Sequence, residues 1–248
     1  MAVMFVTGTG TEIGKTVTTA AVAAAAVAAG RTVAVLKPAQ TGVGPDEPGD
    51  AATVVRLAGA VTTAELARFP EPLAPATAAR RSGRPAVRPH QVAEAAGRLA
   101  AGHDLVLVEG AGGLLVRFDD DATLADAAAL LDAPVLVVAQ AGLGTLNATE
   151  LTVRELRRRG LSCPGVVIGA WPTHPGLAAR CNVADLPEVT GVPLLGAIPE
   201  ASGTLPPDTF RRTAPDWLAP ELGGTWDASA FATRVASATR PPAESVAR

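Results

Sequence analysis

The sequence predicts a single α/β domain, built as a doubly wound, mainly parallel sheet flanked by helices. Three observations support this prediction: short apolar runs typical of buried strands, longer helix-like segments between them, and a glycine-rich loop directly after the first run. Buried strands that are joined by helices usually pair in parallel, and helices then cover both faces of the sheet. The predicted domain spans residues 1–236, and residues 237–248 are predicted to form a frayed tail.

The predicted strands share short runs of Val, Leu, Ile and Ala, bounded by Gly, Pro or a charged residue. In chain order they cover residues 3–7, 32–36, 104–108, 134–138, 166–169 and 194–198. Segment 70–89 is rich in Pro, Ala and Arg, and it is predicted as an irregular crossing with a single helical turn.

The predicted helices are either rich in alanine or carry apolar residues at helical spacing. The first is an alanine-rich, buried helix that ends at Gly30. A later one has the helical spacing of Val92, Ala96 and Leu99, and another begins at Asn147 as its N-cap. In chain order the helices cover residues 16–29, 50–58, 90–101, 123–131, 147–159, 206–218 and 226–236.

Composition excludes several classes of function. The net charge is -3, the pI is near 5.7 and only 3% of residues are aromatic, so we expect no nucleic-acid partner. The longest apolar run, residues 20–29, is too short to cross a bilayer, and no signal peptide is evident. Cys163 and Cys181 form no metal motif. We therefore expect a cytoplasmic protein with reduced thiols and no membrane association.

Lysine is rare in this chain, since Lys15 and Lys37 are the only lysines among 21 basic residues. Arginine supplies the other side-chain cations. A lysine that is kept against this bias indicates a site that needs a compact ammonium rather than a planar guanidinium. Both lysines are therefore candidate functional residues.

The glycine-rich loop, Gly-Thr-Gly-Thr-Glu-Ile-Gly-Lys-Thr at residues 8–16, joins the first strand to the first helix. Such a loop presents backbone amides and a helix N-terminus to an anion. Lys15 would reach the β- and γ-phosphates, and the Thr16 hydroxyl would bind Mg²⁺. Five residues separate the outer glycines, whereas the standard loop has four, and Glu12 lies inside. A carboxylate there favours a second ligand that carries an amine. The alternative interpretation of the whole loop is a glycine turn that binds no ligand.

Three more candidate residues lie at predicted strand ends or just after them, where ligands bind in doubly wound sheets. Glu109 precedes glycine-rich residues 110–113 and could bind Mg²⁺, or it could cap a helix or form a loop salt bridge. Lys37 could neutralise charge on a transferring phosphoryl group, or it could be a solvated strand end. Asp50 could be a second Mg²⁺ carboxylate or a helix N-cap. The three histidines share no ligand spacing.

With these residues in place, the chain resembles the dethiobiotin synthetase family, ATP-dependent carboxylases with a P-loop fold. The resemblance covers residues 3–201 and rests on four segments in order. These are the long phosphate loop at 8–16, Lys-Pro-Ala-Gln-Thr-Gly at 37–42, Glu-Gly-Ala-Gly-Gly at 109–113 and Gly-Thr-Leu-Asn at 144–147. A phosphate loop alone would be weak evidence, but four segments with these separations are specific.

The resemblance implies a reaction between 7,8-diaminononanoate, CO₂ and ATP that needs Mg²⁺ and no organic cofactor. One amine forms a carbamate, and the carbamate oxygen attacks the γ-phosphoryl group of ATP to give a carbamic-phosphoric anhydride. The second amine then closes a cyclic urea and releases phosphate. The family forms homodimers, and the resemblance implies a substrate site at the interface.

The resemblance also implies roles for individual residues of this sequence. The catalytic residues would be Lys37, Lys15 and Thr11, and the metal ligands would be Thr16, Asp50 and Glu109. Diaminononanoate would contact Glu12, Thr41 and, in the partner subunit, Gly144, Thr145, Leu146 and Asn147; the alternative for this last segment is an ordinary connection with a capping asparagine. The nucleotide would contact Glu12, Ile13, Gly14, Lys15, Thr16, Val17, Asp50, Glu109, Gly110, Ala111, Gly112, Gly169, Ala170, Pro199, Glu200 and Ala201.

The sequence departs from the family pattern at the nucleobase site. Family members often carry an asparagine after the fifth main strand to read the base, whereas this chain has Ala170 there. Alanine cannot make a bidentate amide contact, so other nucleoside triphosphates are predicted to replace ATP with modest loss.

Three rival interpretations use the same fold. A partition or septum-site ATPase would carry a second lysine inside the phosphate loop and a basic patch or amphipathic tail, which this sequence lacks. A cobyrinate-type amidation synthetase would need a glutaminase domain, for which 248 residues leave no room. A catalytically inactive nucleotide-binding subunit stays open.

Overall fold

The computed structural model describes residues 2–237 and confirms the predicted α/β class. Within that range, seven strands form one parallel sheet. They are β1 (Ala2–Gly8), β2 (Val33–Thr41), β3 (Val61–Phe69), β4 (Leu105–Gly113), β5 (Val135–Ala139), β6 (Val166–Trp171) and β7 (Leu194–Pro199). Their order across the sheet is β3-β2-β4-β1-β5-β6-β7.

Nine α-helices flank the sheet within the same range. They are α1 (Lys15–Ala28), α2 (Asp50–Ala58), α3 (Pro75–Ser82), α4 (Pro89–Ala100), α5 (Leu124–Leu130), α6 (Thr145–Arg158), α7 (Leu177–Thr190), α8 (Pro207–Thr213) and α9 (Ala228–Ser237). None of these helices has the length and apolar character needed to cross a membrane.

The core lies on both faces of the central strands. All five residues of β5 are buried, and so are the apolar residues of β4 up to Val108. On one face, the run of alanines at residues 23–26 of α1 is also buried. Continuous apolar runs are typical of strands that helices cover on both sides, which explains why these elements were predictable.

The register of the sheet brings the ends of three strands together. Val6 of β1 pairs with Glu109 of β4, and Leu36 of β2 pairs with Val108 of β4. Lys37 therefore lies beside Glu109 at the end of the sheet where β1 leads into the glycine-rich loop. Strands that are far apart in sequence thus supply neighbouring loops at one edge.

The predicted strand set was incomplete, because β3 lies in a segment for which no strand was predicted. β3 is the edge strand next to β2, and Phe69 is its only buried residue. An edge strand pairs on one side and is covered less, so its sequence does not need the apolar run that identifies central strands.

The helix predictions also need corrections. α7 was missed because its apolar pattern is weak and Pro187 lies inside it. Pro75–Ser82 forms a helix of eight residues rather than a single turn. The predicted cap at Asn147 is wrong, since α6 begins at Thr145 and its N-cap is Gly144 with a φ of 88°.

The C-terminal region follows the prediction in outline. The predicted helix at 206–218 is split into α8 and a 3₁₀ segment, Ala214–Trp217, because Pro215 cannot donate the backbone hydrogen bond that would continue the α-helix. α9 confirms the predicted last helix. Apart from Ser237, the predicted tail lies outside the described residues, and the domain boundary stays a prediction.

Candidate active site

The glycine-rich loop at residues 8–16 connects the end of β1 to the start of α1, as predicted. Gly14 is the N-cap of α1 and has a φ of 92°, a conformation that favours glycine. A Cβ on Gly14 would lie 2.1 Å from the carbonyl oxygen of Gly169, and a Cβ on Gly169 would lie 2.1 Å from that of Ile13. The loop therefore packs backbone to backbone on the end of β6, and glycine is needed on both sides.

Lys15 and Thr16 are held at the first turn of α1. The Nζ of Lys15 donates to the carbonyl oxygen of Gly10 at 2.7 Å, and the Thr16 hydroxyl donates to Oε1 of Glu109 at 2.8 Å. Burial and the nearby ammonium of Lys37 lower the pKa of Lys15 below its usual value. The loop thus presents one cation and one hydroxyl beside a carboxylate, which suits a polyphosphate with a bound cation.

Lys37 lies between two carboxylates. Its Nζ donates to Oε1 of Glu109 at 2.9 Å and to the carbonyl oxygen of Gly110 at 3.2 Å, and it forms an ion pair with Asp50. The side chains of Lys37 and Glu109 are 4% and 1% exposed, so this is a buried charge cluster. The solvated-strand-end interpretation of Lys37 is therefore wrong. Nor is Asp50 a helix N-cap, since Gly49 takes that position.

Electrostatics in the cluster favour the charged forms. Burial alone would lower the pKa of Lys37, but attraction to Glu109 and Asp50 outweighs it and raises that pKa. Burial alone would likewise raise the pKa of Asp50, whereas attraction to Lys37 and hydrogen bonds from Lys37 and Thr16 lower it. Both shifts keep the ion pair charged at neutral pH.

The residues present fit a Mg²⁺ ion. Oε2 of Glu109 is buried and has no hydrogen-bond partner among residues 2–237, although a buried carboxylate oxygen normally has one. Glu109, Asp50 and Thr16 together offer the hard oxygen ligands that Mg²⁺ prefers, with the remaining positions left for phosphate and water. The described residues include no group of three or more His, Cys, Asp or Glu side chains that could hold a metal ion unaided.

A cavity of about 720 Å³ opens above this cluster. Eleven of the predicted site residues line it: Thr11, Glu12, Gly14, Lys15, Thr16, Val17, Lys37, Thr41, Asp50, Ala111 and Gly112. Glu109 lies behind the lining as the buried acceptor of Lys37 and Thr16. The sequence prediction missed the rest of the wall: Ala39, Gln40, Gly42, Pro72, Leu73, Ala74, Pro75 and Val116.

Gln40 is a site residue that sequence reasoning missed. Its Oε1 accepts the backbone N–H of Asp50 at 2.8 Å, and a Cβ on Gly49 would lie 2.6 Å from the same oxygen. Gln40 therefore fixes the start of α2 and the position of Asp50. The available signal was its place in the segment that follows Lys37.

The predicted nucleobase residues form a second group at the ends of β6 and β7. The N–H of Glu200 donates to the carbonyl oxygen of Trp171 at 2.7 Å, and Oε1 of Glu200 accepts the N–H of Thr173 at 2.6 Å. Gly169 lies against Gly14, the N-cap of α1, so this group borders the start of α1. The members of this group are Gly169, Ala170, Pro199, Glu200 and Ala201.

Other predicted residues lie outside the cavity lining. Ile13 is buried with Val6 and Val138, and Gly110 contributes its carbonyl oxygen to Lys37. Gly144, Thr145, Leu146 and Asn147 form the start of α6 and do not line the cavity of the same chain. Their contact with the site of a partner subunit stays a prediction.

Comparison with known proteins decides the family. A family model described as an AAA domain matches residues 2–207. The "ATP-dependent dethiobiotin synthetase BioD" of Streptomyces avermitilis is 75% identical over 234 residues, covering 94% of this chain and 98% of the relative. The chain belongs to the dethiobiotin synthetase family. The protein of the same name from Streptomyces coelicolor is 72% identical over 235 residues, covering 94% and 99%.

Membership in the dethiobiotin synthetase family confirms the predicted enzyme class, an ATP-dependent ligase. Solved structures confirm the P-loop fold alone. The cell division ATPase MinD of Pyrococcus furiosus is 19% identical with a TM-score of 0.53, covering 86% of this chain and 97% of its own. A ParA family ATPase from Chlorobium tepidum is 11% identical with a TM-score of 0.57, covering 95% and 98%.

Proposed function

We propose that this protein converts 7,8-diaminononanoate, CO₂ and ATP into dethiobiotin, ADP and phosphate in biotin synthesis. The observation that carries the proposal is the buried cluster of Lys37, Asp50 and Glu109 beside Lys15, at the base of a cavity of about 720 Å³. The named relatives support the substrate assignment.

The proposed chemistry has three steps. One amine of the substrate adds to CO₂ and loses a proton, which gives a carbamate. A carbamate oxygen attacks the γ-phosphorus of ATP and ADP leaves, which gives a carbamic-phosphoric anhydride. The second amine attacks the carbonyl carbon, phosphate leaves with the bonding electron pair, and loss of a proton completes the cyclic urea.

The residues of the cavity have matching roles. The ammonium groups of Lys15 and Lys37 bind and orient the γ-phosphoryl group and the carbamate, because these two substrate groups carry negative charge. Glu12, Thr41 and Thr11 line the cavity. Glu12 pairs with an amine of the substrate, and the two threonine hydroxyls donate hydrogen bonds to it. In the partner subunit, the N-terminus of α6 at residues 144–147 receives the substrate carboxylate. A homodimer and a cytoplasmic location are part of the proposal.

Mg²⁺ would be held by Thr16, Asp50 and Glu109 together with ATP. When bound, it neutralises charge on the β- and γ-phosphates. The other nucleotide contacts in the proposal are the backbone of residues 13–17 and 110–112 and the group at the ends of β6 and β7.

The decisive experiment incubates purified protein with Mg-ATP, bicarbonate and 7,8-diaminononanoate. Mass spectrometry should detect the cyclic urea, and phosphate release should depend on the diamine. Omitting any substrate or adding EDTA should stop product formation, and Lys37→Ala should be inactive. If the rate of phosphate release is the same with and without the diamine and no cyclic urea forms, the proposal is rejected in favour of a switch ATPase or another synthetase. Absence of both phosphate release and cyclic urea would favour the interpretation as a catalytically inactive nucleotide-binding subunit.

A further inference from the structure

The connection between β2 and α2, residues 42–49, leads directly into the charge cluster. We call it the β2–α2 loop; it joins Thr41 on the cavity wall to Asp50, the partner of Lys37. Its sequence, Gly-Val-Gly-Pro-Asp-Glu-Pro-Gly, provides no buried side chain. Val43 is only half-buried, so the position of this loop depends largely on polar contacts.

Arg68 of edge strand β3 makes the contacts that attach the middle of the loop to the sheet, while inside the loop the N–H of Gly44 donates to Oε2 of Glu47 at 2.7 Å. Its Nη1 donates to the carbonyl oxygens of Gly44 at 3.1 Å and Glu47 at 2.6 Å. Its Nε and Nη2 donate to both carboxylate oxygens of Glu65 at 2.8 to 3.0 Å. The paired carboxylate fixes the guanidinium plane, so the two loop carbonyls meet a rigid donor.

The end of the loop is fixed by Gln40, the residue of β2 that pairs with Arg68 of β3 in the sheet. The contact between Gly49 and the side chain of Gln40 leaves no room for another residue, and the N–H of Asp50 donates to the same side chain. The loop is therefore held at its middle by Arg68 and at its end by Gln40. The carboxylate of Asp50 is the first side chain after these two contacts.

We propose that Arg68 is a positioning residue that keeps Asp50 directed at the cation site of this enzyme. The proposal rests on the proposed function, in which Asp50 binds Mg²⁺ together with ATP. A loose β2–α2 loop would have to be ordered each time the metal–nucleotide complex binds, at a cost in conformational entropy. Lysine cannot replace Arg68, because one ammonium cannot pair with a carboxylate in a bidentate manner and still reach two carbonyls.

The test compares Arg68→Lys with a matched control, Arg158→Lys. Arg158 also forms a bidentate contact with a glutamate three positions earlier, Glu155, but it lies at the far end of α6. The Kd of a fluorescent ATP analogue is measured with Mg²⁺ and again with EDTA. In Arg68→Lys, the Kd with Mg²⁺ should rise roughly tenfold, the scale typical of residues that orient a metal ligand. The Kd with EDTA should not change, and Arg158→Lys should change neither value.

Limited thermolysin digestion provides a second readout that needs no nucleotide. Cleavage next to Val43 should be faster in Arg68→Lys than in the wild type, while the melting temperature stays close to the wild-type value. Glu65→Gln keeps the arginine but removes its charged partner, and it should shift the Kd with Mg²⁺ in the same direction by less. Equal loss of affinity with Mg²⁺ and with EDTA, or no change in either, would overturn the proposal. These measurements do not require turnover, so they remain informative if the wild type makes no cyclic urea.

Discussion

The Nζ of Lys37 lies 2.9 Å from Oε1 of Glu109, although the two residues are 72 positions apart in sequence. The same carboxylate oxygen accepts the hydroxyl of Thr16 at the start of α1. One buried oxygen thus connects β2, β4 and the glycine-rich loop. This contact makes the site a structural unit as well as a candidate catalytic one.

Removal of the Lys37 ammonium, the cation at the centre of this cluster, should therefore lower stability as well as activity. We expect Lys37→Met to abolish product formation and to lower the free energy of unfolding by about 3 kcal/mol or more, because Glu109 and Asp50 lose their counter-charge. Urea denaturation measures this change. Arg81→Met is the control, since it breaks an exposed, solvent-screened pair with Glu71 and should alter the free energy of unfolding far less than Lys37→Met does. A Lys37→Met variant as stable as the wild type would contradict this account.

The close approach of the glycine-rich loop to β6 predicts a strict need for Gly169. Gly169→Ala should weaken nucleotide binding and lower the melting temperature, because its Cβ would meet the carbonyl oxygen of Ile13. Gly97→Ala in α4 is the control; its Cβ would have no neighbour within 4 Å, and alanine in a helix should stabilise by roughly 1 kcal/mol. Calorimetry and nucleotide titration of both variants test the prediction. Normal nucleotide affinity in Gly169→Ala would show that the contact is dispensable.

The exposed Ala170 predicts weak discrimination between nucleobases. We expect kcat/KM for CTP and GTP to lie within roughly tenfold of that for ATP, since no amide side chain at this position can read the base. Ala170→Asn should widen the difference in favour of ATP, with kcat nearly unchanged. A strict preference of the wild type for ATP would contradict the prediction.

The proposed homodimer predicts complementation between two inactive variants. Leu146→Pro removes one N–H from the first turn of α6, where helix N–H groups lack intrahelical partners and proline is tolerated. The two variants, Leu146→Pro and Lys37→Ala, are mixed one to one under conditions that allow subunits to exchange. Half of the dimers then contain one subunit of each variant, and each of these mixed dimers has one intact site. About a quarter of the wild-type activity should therefore return. If no activity returns although sedimentation shows mixed dimers, the sites are not shared between subunits.

The network on α6 predicts loss of stability in acid. Hydrogen bonds from Arg158 and Arg159 lower the pKa of Glu155 from 4.5 to about 2. A carboxylate with a lower pKa in the folded state stabilises the protein above its unfolded pKa, and this contribution is lost as the pH falls from 4.5 to about 2. The difference in melting temperature between the wild type and Glu155→Gln should be constant at neutral pH and shrink across this window. A difference that does not vary with pH would refute the assignment.

Sequence alone was sufficient for the centre of the fold and for placing Lys37 and Glu109 at one edge of the sheet. Central parallel strands are buried on both faces, so β1, β4 and β5 are continuous apolar runs that can be recognised locally. Charged residues that directly follow such runs, as Lys37 and Glu109 do, fall at the edge where doubly wound sheets bind ligands. The family motifs then indicated the reaction.

Tertiary structure decided what local patterns do not encode. Edge strand β3 needs no apolar run, and helix α7 tolerates Pro187, so neither was predicted. The contacts of Gln40 with Asp50 and of Arg68 with the β2–α2 loop join side chains to distant backbone atoms, and no residue type or spacing predicts such a pairing. Sequence determines which chemical groups are present. The folded chain determines which of them meet, because the strand register brings residues from distant parts of the sequence into contact.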